Sequence, residues 1–156
     1  LMFEAARSYI AGAKIIIASD GINDDHAVAH PTLPVITCSA FAIELQIKLL
    51  LLATNVARPR GDGHDLELLF NALPATLQSK VLDFQQQYTD LSHEEARVLL
   101  SEEKDTFKRW RYPYESHFLE TRPADLFQLA LALNDFIKNN YELERSDNGW
   151  LRVDAA

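Results

Sequence analysis

The sequence predicts an all-α fold, an up-and-down bundle of four to six helices, and three observations carry that prediction. Apolar residues recur at three- and four-residue spacing along most of the chain. Strict apolar–polar alternation, the mark of a half-buried strand, is nearly absent. Between the periodic stretches stand helix punctuation signals: Asp20-Gly21, Pro34, Ser92-His-Glu-Glu95 and Pro123. The chain of 156 residues fits one domain over residues 1–156, long enough to bury a core.

The elements follow in order. Ala6, Ile10, Ala13 and Ile17 stand at helical spacing and predict a first helix that stops at Asp20-Gly21. A loop with two prolines and three aspartates follows, from Asp20 to Pro34. Pro34, acceptable in a first turn, opens a second helix that is apolar nearly all round through Phe41, Leu45, Leu49 and Leu52. Glu44 and Lys48 form an i,i+4 pair on it in the favourable order. It ends before Arg58-Pro-Arg-Gly-Asp-Gly63, the one place where two small subdomains would have to part. His64 to Leu73 reads as a short helix broken at Pro74. Leu77, Val81, Phe84 and Tyr88 mark the next amphipathic face. Ser92 and Glu95 have capping-box form and start a helix with Leu99 inward. The last helix begins near Pro123 and carries Leu126, Leu129, Leu133, Phe136, Ile137 and then Tyr141 on one face. Residues 145–156 are expected to be a short polar tail, with Trp150 anchoring it to the body.

Composition narrows the function classes. With 23 acidic and 15 basic residues the net charge is -8, which disfavours whole-surface binding to nucleic acid or anionic membrane. Val35 to Ala53 is long and apolar enough to raise a membrane span. Thr37, Ser39, Glu44, Gln46 and Lys48 interrupt it, though, and point to a buried helix with no membrane partner. The N-terminal stretch lacks the basic start and clean apolar core of a signal peptide. Cys38 is the only cysteine, so no intrachain disulfide forms and a small buried hydrophobe is expected. The expected compartment is the cytoplasm.

The cations are unevenly spread. Lys104, Lys108, Arg109, Arg111 and Arg122 are five of the fifteen. Among them lie Phe107, Trp110, Tyr112, Tyr114 and Phe118, five of the fifteen aromatics. Guanidinium groups bind phosphate and aromatic faces stack bases, so Lys108, Arg109, Trp110, Tyr112 and Tyr114 are expected to contact RNA or a nucleotide. The same aromatics, spaced as Trp110 and Tyr114 are, would also serve as core. Within the strip, Arg111 and His117 are a candidate catalytic pair. An imidazole moves the ribose 2′-hydroxyl proton or protonates the leaving oxygen, and a guanidinium stabilises the charge that builds on phosphorus. Arg58 and His64 have the same spacing across a helix break and form a second candidate pair. Alternatively His64 or Asp65 caps the helix that follows, with Arg58 solvated. His26 and His30 with Asp20, Asp24 and Asp25 do not match an EF-hand. Pro31 argues against a rigid helical zinc site there, so no metal and no cofactor is expected.

Three stretches carry a family resemblance. Ala40-Phe-Ala-Ile-Glu-Leu-Gln-Ile-Lys-Leu-Leu50, Gly63-His-Asp-Leu-Glu-Leu-Leu-Phe-Asn-Ala-Leu73 and Trp110-Arg-Tyr-Pro-Tyr-Glu115, in that order, resemble the HEPN superfamily of small helical proteins. The resemblance spans roughly residues 34–118. It implies a four-to-five-helix bundle, commonly a symmetric homodimer. Catalytic members are metal-independent endoribonucleases of toxin–antitoxin and defence systems, which implies an antitoxin or another protein partner. Their arginine-then-histidine motif is completed across the dimer, and Arg111 and His117 match its spacing. Relatives without the motif act as binding or interaction modules, and there the segment around His64 is a structural signature.

Overall fold

The computed structural model describes residues 1–19, 32–59, 63–104, 106, 122–145 and 151–155. It is predominantly helical, in agreement with the expected class. Among the described residues the elements are α1 (Met2–Ser19), α2 (Thr32–Ala53), α3 (Leu66–Asn71), α4 (Ala75–Gln85), α5 (His93–Glu102), α6 (Pro123–Asn140), β1 (Tyr141–Arg145) and β2 (Leu151–Ala155).

α2 is the central element. It packs along α1 and α6 and touches α3, and Ile36, Ile43, Ile47, Leu50 and Leu51 are fully buried along it. Leu33–Ala53 has the length and composition of a membrane-spanning helix. Two-thirds of it is nevertheless buried inside the fold, as its interrupting polar residues predict. One of these, Gln46, is fully buried and donates from Nε2 to the Ala130 carbonyl of α6 at 3.1 Å. Leu52, expected on the buried face, is exposed instead.

α1 covers α2 through Phe3, Ala6, Ile10 and Ala13. Its inward face continues through Ile16, the i+3 neighbour of Ala13, and Ile17 points to solvent. Either residue satisfies helical spacing, and packing chooses between them. Tyr9 stacks on Phe41 of α2 with ring centroids 5.2 Å apart. Cys38 is half-buried rather than fully so, and burial pushes its thiol pKa up.

The ends of the helices follow local chemistry. α2 stops in a Schellman motif: the Val56 N–H donates to the Leu51 carbonyl at 3.0 Å and the Asn55 N–H to Leu52 at 3.1 Å. Asn55 takes the left-handed conformation that the motif requires, with φ 52°. The Asp65 carboxylate caps α3 by accepting from the Leu68 N–H at 2.8 Å. The expected helix over His64–Leu73 is therefore shorter by two residues at each end. Ser92 and Glu95 form the full capping box on α5, and Pro123 occupies the first turn of α6. Gln85, fully buried, donates to the Leu91 carbonyl at 2.9 Å and ties α4 to the start of α5.

The C-terminal segment departs from expectation. Instead of a polar tail, β1 pairs antiparallel with β2, with Tyr141 opposite Ala155 and Arg145 opposite Leu151. The backbone turns extended at Tyr141, where α6 ends. Trp150, the expected anchor, lies outside the described residues.

Candidate functional site

The most unusual chemistry among the described residues lies where α2 meets the start of α3. α2 carries Glu44 and Lys48 on successive turns of one face, and both side chains are withdrawn from water, at 7% and 14% exposure. A Schellman turn ends α2, and Gly63 and His64, just ahead of the Asp65 cap of α3, lie over that face. The Lys48 ammonium lies beneath Gly63, 3.9 Å from the position that a Cβ on it would occupy.

Three groups meet there. Lys48 Nζ donates to Glu44 Oε1 at 2.5 Å. His64 Nδ1 lies 2.9 Å from Glu44 Oε2, so each carboxylate oxygen has its own nitrogen partner. The imidazole is 40% exposed, far more than the carboxylate it faces. A buried carboxylate needs such partners, because desolvation disfavours its charge. Beyond Glu44 and His64, a cavity of about 10 Å³ is walled by Thr37, Phe41, Glu103 and Thr106 as well, room for about one water. Glu103 is itself buried, and the Thr106 hydroxyl sits 2.5 Å from its Oε2.

The two groups of the second candidate pair take separate partners. His64 faces Glu44, whereas the exposed Arg58 guanidinium lies 3.9 Å from Met2 Sδ on α1. Asp65, not His64, caps α3. The first pair, Arg111 and His117, lies outside the described residues, as do Lys108, Arg109, Trp110, Tyr112 and Tyr114. The same holds for His26, His30, Asp20, Asp24 and Asp25. Among the described residues no group of three or more His, Cys, Asp or Glu side chains is placed to hold a metal ion.

In the sequence Glu44 and Lys48 have the form of an ordinary i,i+4 helix pair. The signal of its burial was present: both charges sit in the most apolar stretch of the chain. Nothing in the sequence marks Glu103 and Thr106 as neighbours of that pair.

A shallow cleft of about 280 Å³ lies between α3 and α5. On its wall the Arg97 guanidinium stacks 5.5 Å from the Phe70 ring centroid and donates to Gln78 Oε1 at 3.0 Å. Ser101 donates to Glu67 across it at 3.0 Å. Against protein-family models, curated proteins and solved structures, the chain finds no match.

Proposed function

We propose that the chain is a HEPN-like helical domain that acts as a homodimer, binds RNA, or a nucleotide presenting the same phosphate and base, and cuts RNA without a metal. The strip Lys104–Arg122 supplies the contacts, with Lys108 and Arg109 on phosphate and Trp110, Tyr112 and Tyr114 on bases. Arg111 stabilises charge on phosphorus and His117 transfers a proton. The observation that supports this reading is the meeting of two of the stretches that carry the resemblance. Glu44 and Lys48 come from the first and His64 from the second, and these three residues form the buried ionic node.

The test is RNA binding and cleavage by the purified chain. Binding should weaken steeply as salt rises, because phosphate contacts release counterions. Cleavage should persist in excess EDTA and leave 2′,3′-cyclic phosphate ends, and Arg111→Ala or His117→Ala should abolish it. RNA binding that is absent, or that ignores salt, overturns the reading. The second reading, a non-catalytic interaction module, is favoured by the separate partners of Arg58 and His64. It predicts a dimer in light scattering that neither binds nor cuts RNA.

A further inference from the structure

We propose that the cleft between α3 and α5 binds a free α-amino acid with an apolar side chain, Arg97 taking its carboxylate and Glu67 its ammonium. Two helix faces build the cleft: Arg97, Val98 and Ser101 on α5, and Glu67, Phe70 and Asn71 on α3. Arg97 meets Asn71 while Ser101 meets Glu67, so the two helices run antiparallel across it. At about 280 Å³ it lies just under the usual range of ligand pockets, about 300–1,000 Å³, and suits a small molecule. Arg97 is held by neutral groups. Its guanidinium lies over the Phe70 ring, 5.5 Å from the centroid, and donates to Gln78 Oε1 at 3.0 Å and Asn71 Oδ1 at 3.4 Å. Among the described residues no carboxylate pairs with it, although Glu94 stands three residues earlier, at the spacing of a helix ion pair. A guanidinium has five N–H donors; two are used here and three remain for an anion. Glu67 is held in the same manner, Oε2 accepting from the Ser101 hydroxyl at 3.0 Å.

Opposite charges thus share one cleft without neutralising each other, and each is oriented by neutral neighbours before a ligand arrives. A strut between α3 and α5 would pair Arg97 with Glu67 or Glu94 directly. Charges fixed apart in this way suit a zwitterion, because the protein loses little further freedom on binding. A simple anion is disfavoured, since Glu67 and Glu94 set two carboxylates against one cation in the lining. A simple cation meets Arg97. A ligand that carries both charges satisfies both ends, and Val98, 41% exposed on the wall, receives an apolar side chain. Arg97 and Ser101, which mark the two ends, stand four residues apart, about 6 Å along α5. An α-amino acid covers that span with a charged hydrogen bond of about 2.8 Å at each end.

Calorimetric titration of the purified chain with leucine, valine and methionine at neutral pH tests this. The tightest of the three is then compared with two analogues that each lack one charge, its amide and the corresponding acid without the amino group. The amino acid should bind saturably, and each analogue at least about 10-fold more weakly. Arg97→Met and Glu67→Gln should each weaken binding about 10-fold, whereas Arg7→Met, at an exposed ion pair on α1, should leave it unchanged. Should Arg97→Met lower the melting temperature, Arg97→Lys takes its place; it keeps the charge without the planar fork and should still bind about 10-fold more weakly. No saturable binding of any of the three below about 10 mM overturns the assignment. Analogues that bind as tightly as the amino acid overturn it too, as do variants at Arg97 and Glu67 that bind like the parent. RNA takes no part in the titration, so neither result bears on the RNA-binding reading above.

Discussion

Replacing Lys48 by Met would leave the Glu44 carboxylate, only 7% exposed, with His64 as its remaining partner in the node. Removing one member of a buried ion pair costs about 3–5 kcal/mol, because the other charge stays desolvated. His64 still reaches Glu44 Oε2 at 2.9 Å and its ring is partly solvated, so the lower end, about 3 kcal/mol, is expected. For a chain of this size each kcal/mol moves the melting temperature by about 2–4 °C, which gives a fall of about 6–12 °C. Arg7→Met is the internal control. Its partner Glu4 is also on a helix, but the two side chains are 50% and 61% exposed, and its loss should cost less than about 0.5 kcal/mol. Urea denaturation at neutral pH, followed by circular dichroism, measures both. The double variant Glu44→Leu/Lys48→Met should recover about 2 kcal/mol relative to Lys48→Met alone, since no orphaned carboxylate remains. If Lys48→Met costs no more than Arg7→Met, Glu44 is solvated in solution and the buried node is wrong.

Further expectations concern the core, a cap and two titrating groups. Leu50→Ala, at a position with no exposure, should cost about 3 kcal/mol; Leu52→Ala, at 56% exposure, should lie within about 0.5 kcal/mol of the parent in the same urea series. Ser92→Ala should cost about 1 kcal/mol by removing the cap that accepts from the Glu95 N–H. The Ser92 hydroxyl and N–H also hold the Glu95 carboxyl below its ordinary 4.5. Its contribution is therefore complete above that value and lost as pH falls through the lower folded one, and Glu95→Gln should flatten that part of an acid stability curve. The Tyr88 phenol donates to Asp135 at 2.7 Å, and its pKa is pushed up to about 12. The stability it adds is complete below the ordinary value of 10.0 and is lost as pH rises towards 12. Tyrosinate absorbance should show a group titrating near 12 that Tyr88→Phe removes. Cys38, its thiol raised by burial, should react with a thiol reagent more slowly in the folded chain than in urea, and equal rates would contradict its placement under α1.

The helices were legible because each is written locally. Periodicity marked α1, α2 and α6, and the Ser92–Glu95 box and Pro123 marked two starts almost to the residue. The C-terminal hairpin is faint in the sequence, although Tyr141 and Leu143, then Leu151 and Val153, alternate with charged residues. Five-residue strands are too short for that alternation to stand out beside an eighteen-residue helix. At the candidate site, Glu44, Lys48 and His64 could each be singled out by type. Their meeting could not, because it is a contact between residues twenty positions apart in sequence on separate elements, which no local pattern fixes. That Arg58 meets Met2 on α1 and His64 meets Glu44 on α2 is equally a matter of tertiary direction, since equal spacing in sequence says nothing about which helix each side chain meets.

The position of α2 has a consequence for biosynthesis. One flank of α2 is covered by α1, which is synthesised first, but the other is closed by α6, and Gln46 meets Ala130 only 84 residues later. At about 5–20 residues per second a ribosome takes roughly 4–17 s to make that stretch. During that interval a helix with the length and composition of a membrane span stands half covered. For that interval the apolar surface of α2 that α6 later covers is open to other apolar partners. Substitutions that slow the docking of α6 should lower the yield of folded protein even where the finished fold tolerates them.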